Sequence, residues 1–312
     1  MYQNEFATDL SPHEMTGTDE FRSLCHSAAD LGISHSRDIA YRSRQTVVRR
    51  LRFHFTEWGP PGAPPILLLH GTNQSSHSWD LVSLALASSH HVFALDQRGH
   101  GDSEWSRELD YSTAAMADDA IAFARDRELA RPIVVGHSMG GRVALLAALR
   151  EPAFARALVL VDSGPEMNPG GGRTIRNFIR SNREFDDPDQ FIDNVVDYDP
   201  YRKREHVERT VKYNLFQRAD GKYVSKNDHR RVEGSRTPIN LNDVGALRQP
   251  VLVVRGANSN VFTPESGERL IGALSDARLV TVPNCGHNVH SQNTTGFLEA
   301  VNPFLRQVVH AQ

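Results

Sequence analysis

Cysteine and lysine are both scarce in this chain. Only Cys25 and Cys285 are present, which rules out a disulfide-rich scaffold. A single bridge between them is open, and two thiols in a reducing cytoplasm is the simpler reading. Lysine occurs only at Lys203, Lys212, Lys222 and Lys226, with arginine supplying the rest of the basic charge; nothing functional follows from that usage. The net charge of -3, from 35 basic and 38 acidic residues, has no strong excess of either sign. That balance argues against a nucleic-acid partner and against attraction to an anionic membrane surface. No stretch approaches about 18 consecutive apolar residues, so no membrane span is expected. The N-terminal stretch MYQNEFATDLSPHEMTGTDE has neither a basic start nor an apolar run and does not read as a signal peptide. Internal repeats and low-complexity tracts are also missing.

What remains is a chain of 312 residues, 39% hydrophobic and 23% charged, suited to one large domain or a domain with an insertion. Residues 1–43 are polar, without a clean period, apart from a short helix-like stretch over Phe21–Leu31. They read as an extension draped on the surface; the other reading is a part in homo-oligomer contacts or in covering a site. From residue 44 onward, strand-like and helix-like segments alternate, which argues for a mostly parallel sheet. Val47–Trp58 reads as a hairpin-like pair of edge strands. Pro65–Leu69, His91–Leu95, Pro132–Val135, Ala157–Val161, Val251–Val254 and Arg278–Val282 are short apolar runs of the kind buried on both faces of a sheet. Arg142–Leu149 reads as a buried helix and Phe297–Val309 as a closing one. The rhythm stops over residues 165–242, which open on PEMNPGGGR and continue in charged, helix-like stretches. This segment is expected to be an inserted helical cap, dividing a core of residues 44–164 and 243–312.

Chemistry concentrates in Gly136-His137-Ser138-Met139-Gly140. An apolar strand precedes this G-x-S-x-G and an apolar helix follows it. In that context the glycines permit a sharp strand-to-helix turn that exposes the Ser138 hydroxyl at a helix N-terminus. A serine hydroxyl is a weak nucleophile near neutral pH and needs a base in hydrogen-bond reach. His287, in Asn284-Cys285-Gly286-His287 after the last strand-like run, is the candidate.

With these residues the chain resembles the α/β-hydrolase family over about residues 44–310. Three further segments carry the resemblance: His70-Gly71-Thr72 after the PILLL run, the Asp96-Gln97-Arg98-Gly99-His100-Gly101-Asp102-Ser103 turn, and Leu160-Val161-Asp162 before the cap. The resemblance implies an α/β-hydrolase fold with a helical cap, Ser138 as nucleophile and His287 as base. It also implies an oxyanion hole from the backbone N–H groups of Thr72 and Met139. The family usually carries its acid after the strand that follows the cap, at position 260, where this chain has Asn260. Three accounts stand open. Asp162 supplies the acid; Asn260 acts as a neutral orienter; or Asn260 replaces an aspartate by engineering. The spacing favours position 260.

Of the other histidines, His70 and His100 sit in glycine turns and read as structural. His137 should point away from the pocket, and His290 should line its rim. No His/Cys/Asp cluster has metal-ligand spacing, and the RGHGDS turn lacks a phosphate-binding helix, so neither metal nor cofactor is expected. The expected function is hydrolysis of a small carboxylic ester through an acyl-enzyme. The alternatives are cleavage of a lactone, amide or C–C bond, perhydrolase chemistry, and a weakly active ligand-binding homologue. A serine at the elbow argues against dehalogenase or epoxide-hydrolase chemistry. Phe178, Phe185, Phe191, Tyr198, Tyr201, Tyr213 and Phe216 suggest an apolar or aromatic substrate part, unless they form the cap's own core.

Overall fold

A computed structural model describes residues 11–230 and 237–310. Twelve strands and ten α-helices follow in chain order: β1 (His13–Glu14), α1 (Asp19–Asp30), β2 (Tyr41–Val48), β3 (Leu51–Trp58), β4 (Pro65–Leu69), α2 (Asp80–Leu86), β5 (His91–Leu95), α3 (Thr113–Asp126), β6 (Ile133–His137), α4 (Met139–Arg150), β7 (Ala157–Val161), α5 (Pro169–Ser181), β8 (Glu184–Phe185), α6 (Pro188–Tyr198), α7 (Arg204–Val211), β9 (Leu215–Gln217), β10 (Tyr223–Ser225), β11 (Val251–Gly256), α8 (Pro264–Ala273), β12 (Ala277–Val282), α9 (Val289–Gln292) and α10 (Thr294–His310). Among the described residues no helix is long and apolar enough to cross a membrane.

Nine strands form one sheet in the order β1-β2-β3-β5-β4-β6-β7-β11-β12. It is antiparallel through β1, β2, β3 and β5, and parallel from β5 to β12. The wholly apolar strands owe their composition to helices on both faces. In β4, Leu67 and Leu69 enter one core with α3, α4 and α8, while Ile66 and Leu68 enter a second with α1, α2 and α10. The alternation has period two, yet both faces are dry, so no polar residue is needed on either. Each large side chain buried this way contributes about 1.5–3 kcal/mol.

Residues 11–43 lie mostly at the surface but send Leu24, Ala28, Ile33, Ile39 and Tyr41 into this core. Thr18 caps α1 by accepting the Phe21 N–H at 3.2 Å, Leu24 and Ala28 are buried, and Tyr41 stacks on Trp58 with centroids 3.5 Å apart. Only Leu24, Ser27 and Ala28 of α1 are buried, too thin a stripe to be conspicuous in sequence. The β2–β3 hairpin turns on Arg49 and Arg50, both at positive φ, a geometry that usually selects Asn or Gly. Arg49 is held there by Asp119 and the Ala115 carbonyl, each at 2.9 Å.

The segment expected as a helical cap contains α5, α6 and α7 and, beside them, a small antiparallel sheet, β8-β10-β9. These strands are two or three residues long, below the length at which alternation can be read. The segment has its own apolar cluster, including Phe185, Phe191, Val207 and Leu215. A buried Arg209–Asp80 ion pair of 3.0 Å ties α7 to α2, and Lys203 pairs with Asp30 of α1 at 2.8 Å.

Candidate active site

The nucleophile position is built by the join of β6 and α4. Ser138 lies at φ 51°, ψ -112°, a strained region for a residue with a side chain. Neighbouring contacts hold it there: its N–H donates to the Val161 carbonyl at 3.0 Å, and its carbonyl accepts from Ser163 Oγ at 2.6 Å. The turn is tight enough that a Cβ on Gly136 would lie 2.4 Å from the Gly140 carbonyl oxygen, and one on Gly140 would lie 2.2 Å from that of Leu69. Ser138 is the N-cap of α4, so its hydroxyl sits at the positive end of the helix dipole.

His287 follows β12 and meets Ser138 across the sheet end, with Nε2 2.9 Å from Ser138 Oγ. Its Nδ1 lies 2.6 Å from Asp162 Oδ2. Asp162 directly follows β7 and is fully buried. Its Oδ1 accepts the Gly256 N–H at 3.1 Å, and Oδ2 also accepts from Ser259 Oγ at 2.5 Å. Both carboxylate oxygens are therefore engaged and the carboxylate is fixed in orientation.

This arrangement corrects the preference for position 260. Asn260 is exposed, its backbone carbonyl accepts from Asn168 Nδ2 at 2.9 Å, and the ring nitrogen assigned to it is occupied by Asp162. The loop after β11 turns so that Ser259, rather than its neighbour, reaches the relay. Neither spacing nor residue type pointed to Ser259; only the fold does.

Two rival histidines also differ from expectation. His137 does not simply point away: Nε2 lies 2.9 Å from the His287 carbonyl, which can only accept, so Nε2 carries the hydrogen. His290 is not on the rim but buried against Trp79, with centroids 4.0 Å apart. Burial, followed by the charges of Arg202 and His287, pushes His290 down to about 3. Burial, with His287 next, also holds His137 well below the usual imidazole range. Both rings are thus neutral near pH 7 and do not oppose a positive charge on His287. His70 is locked between the Gly71 carbonyl at 2.8 Å and the Gln97 N–H at 3.0 Å, and His100 Nδ1 contacts the Arg98 carbonyl at 3.0 Å. Both brace their turns.

Asp96 accepts from the Ser76 and Asp102 N–H groups at 2.5 and 2.9 Å and contacts His54 Nδ1 at 2.7 Å. His54 of β3 and Asp96 and Asp102 of the turn after β5 bring ligand-type atoms within 4.8 Å of one another. Sequence spacing did not reveal that grouping. Asp96 is already hydrogen-bonded on both oxygens, and Asp102 pairs with Lys226 at 2.6 Å, so the cluster fits a brace for the loop.

Ser138 and His287 open on a cavity of about 310 Å³. Thr72, in the loop after β4, lines it next to Ser138, and Met139 is the first residue of α4. Of the aromatic residues singled out in the sequence, Phe178, Phe191 and Tyr198 line the cavity. Phe185 packs inside the segment's own cluster, Tyr213 stacks on His77, and Tyr201 and Phe216 are exposed. Gln74, Asn288, Arg176 and Arg202 also line the cavity, and the sequence had singled out none of them. Cys25 and Cys285 are unpaired.

Comparison with known proteins agrees with this geometry. Residues 66–300 match the family model described as the alpha/beta hydrolase family. An esterase of Mycobacterium tuberculosis is 29% identical over 304 residues, spanning 95% of this chain and 99% of its own. Its crystal structure superposes with a TM-score of 0.76 over 94% of this chain and 100% of that one, at 27% identity. An sn-1-specific diacylglycerol lipase of Mus musculus is 27% identical, covering 79% of this chain and 82% of its own. With a parallel sheet flanked by helices and a serine at the elbow after β6, the chain is a hydrolase and belongs to the alpha/beta hydrolase family.

Proposed function

We propose that the chain hydrolyses carboxylic esters through an acyl-enzyme, with Ser138 as nucleophile, His287 as general base and Asp162 as the acid of the relay. The observation that carries this reading is the continuous contact from Asp162 Oδ2 to His287 Nδ1, 2.6 Å, and from His287 Nε2 to Ser138 Oγ, 2.9 Å, at the wall of a cavity. Relatives named as an esterase and a lipase support the ester bond as target.

His287 takes the Ser138 proton as Oγ attacks the ester carbonyl carbon, and the imidazolium is stabilised by Asp162. The tetrahedral oxyanion is received by the N–H groups of Met139 and Thr72, each such donor contributing about 2.7–4 kcal/mol. Collapse expels the alcohol, protonated by His287. A water then gives its proton to His287, attacks the acyl carbonyl, and releases the acid and free Ser138. His137 supports the cycle as a neutral donor to the His287 carbonyl.

The test is turnover of p-nitrophenyl acetate together with labelling by a fluorophosphonate, read by intact mass. One adduct on Ser138, absent in Ser138→Ala, is expected. A protein that neither labels nor turns over is a ligand-binding homologue.

A further inference from the structure

The cavity at Ser138 is mainly apolar, yet two arginines line it: Arg176 from α5 and Arg202 from the turn between α6 and α7. Only one carboxylate, that of Asp199, lines the same cavity. Arg202 Nη2 donates to the His206 carbonyl at 2.5 Å and to Thr210 Oγ1 at 2.7 Å. Both acceptors are neutral, and Nε is buried with no hydrogen-bond partner. Among the described residues, no carboxylate lies within ion-pair distance of either guanidinium.

A partly desolvated cation with neutral acceptors and an orphaned N–H is costly unless an anion completes it. Asp199 does not fill that role. Its Oδ1 accepts from Gln292 Nε2 at 2.9 Å, and burial raises its carboxyl. Arg202 feels the deficit: burial, helped by Arg209 and opposed by Asp199, pushes it down to about 10. The guanidinium fork suits a planar carboxylate.

Resting on the ester-hydrolase reading of Ser138, we propose that the substrate is an ester that also carries a free carboxylate, and that Arg202, with Arg176, binds that carboxylate. The apolar part of the cavity lining, including Ile175, Ile179 and Val195, then takes the short aliphatic stem joining ester and acid. In this arrangement the cavity selects against neutral esters by leaving Arg202 uncompensated when they bind.

The experiment compares matched esters by titrating released acid at constant pH. Monoethyl glutarate is set against ethyl pentanoate for a carboxylate on the acyl side. 3-Acetoxypropanoate is set against propyl acetate for the alcohol side. In the parent protein, at least one charged member should exceed its neutral partner in kcat/KM by about tenfold or more, the scale of a charge-assisted hydrogen bond. Arg202→Met and Arg176→Met should each shrink that ratio, chiefly through KM. Ratios at or below one in both pairs overturn the proposal. So does a loss in Arg202→Met that is equal for both members of a pair, since that is the signature of a residue that only braces the cap. If no ester is turned over, the ester-hydrolase reading fails separately. Calorimetry of monoethyl glutarate and ethyl pentanoate with the Ser138→Ala protein then decides the carboxylate question, and equal or weaker binding of the acid refutes it.

Discussion

The Ser259 hydroxyl donates to Asp162 Oδ2 at 2.5 Å, on the same oxygen that meets His287 Nδ1. Its Oγ in turn accepts from the Val261 N–H at 3.2 Å, so the hydroxyl hydrogen is directed at the carboxylate. The loop after β11 thus braces a carboxylate that follows the neighbouring strand, β7.

Asp162→Asn should be severe and Asn260→Asp mild. The corresponding loss in a serine-protease relay costs roughly 10⁴ in turnover, and a similar order is expected here. Asn260→Asp, an exposed change away from His287, should stay within about 0.5 kcal/mol in stability and leave kcat nearly unchanged. Both are read from kcat on p-nitrophenyl acetate at saturation; a large gain in Asn260→Asp would return the acid to position 260.

Ser259→Ala removes one donor from a buried carboxylate, a bond to a charged group worth about 1.5–3 kcal/mol. Asp162 should then hold His287 less firmly, so kcat on p-nitrophenyl acetate at saturation should fall. Ser259→Thr should restore it. An unchanged kcat in Ser259→Ala would mean that the Gly256 N–H alone is enough to hold the carboxylate in place.

Stability should fall as pH is lowered below about 6.5, the ordinary imidazole value. His290 is held at about 3 in the folded protein, so between these values the unfolded chain binds a proton that the folded one refuses. The full stability is present above the unfolded value and declines by up to about 1.4 kcal/mol per pH unit for each such group. Denaturant melts at about pH 7.5 and about pH 5 should differ less for His290→Phe than for the parent; an identical gap would assign the acid loss to other groups.

Arg209→Met leaves the Asp80 charge, buried in the core beneath α7, with His77 Nδ1 at 3.1 Å as its remaining side-chain contact. Breaking one partner of a buried pair costs about 3–5 kcal/mol. A clear drop in melting temperature is expected, with a smaller drop for the double variant Arg209→Met, Asp80→Asn. A single variant as stable as the parent would show that His77 is enough to hold Asp80.

Much of this is legible in the sequence alone. The apolar strands around β4, β6 and β7 stood out because both their faces are dry, and the Gly136–Gly140 turn has few other readings. Asp162 was visible but outweighed, because loop spacing says nothing about which way a loop turns after its strand. His290 differs for a related reason: three residues from His287 in the chain, its ring turns inward against Trp79, which spacing alone does not show. Arg202 carried no signal, since an arginine in a charged, helix-like stretch looks like any solvated side chain. Its significance lies in what fails to surround it.

Ser138 and Asp162 follow adjacent strands, β6 and β7, whose ladder pairs His137 with Val161. Ser138 and Asp162 therefore both precede the segment of residues 165–242 in the chain, and only His287 comes after it. That segment can be lengthened, exchanged or redesigned for a new substrate without touching the spacing between the two. With Asp162 directly after β7 holding His287, the loop after β11 contributes only the Ser259 hydroxyl to this contact.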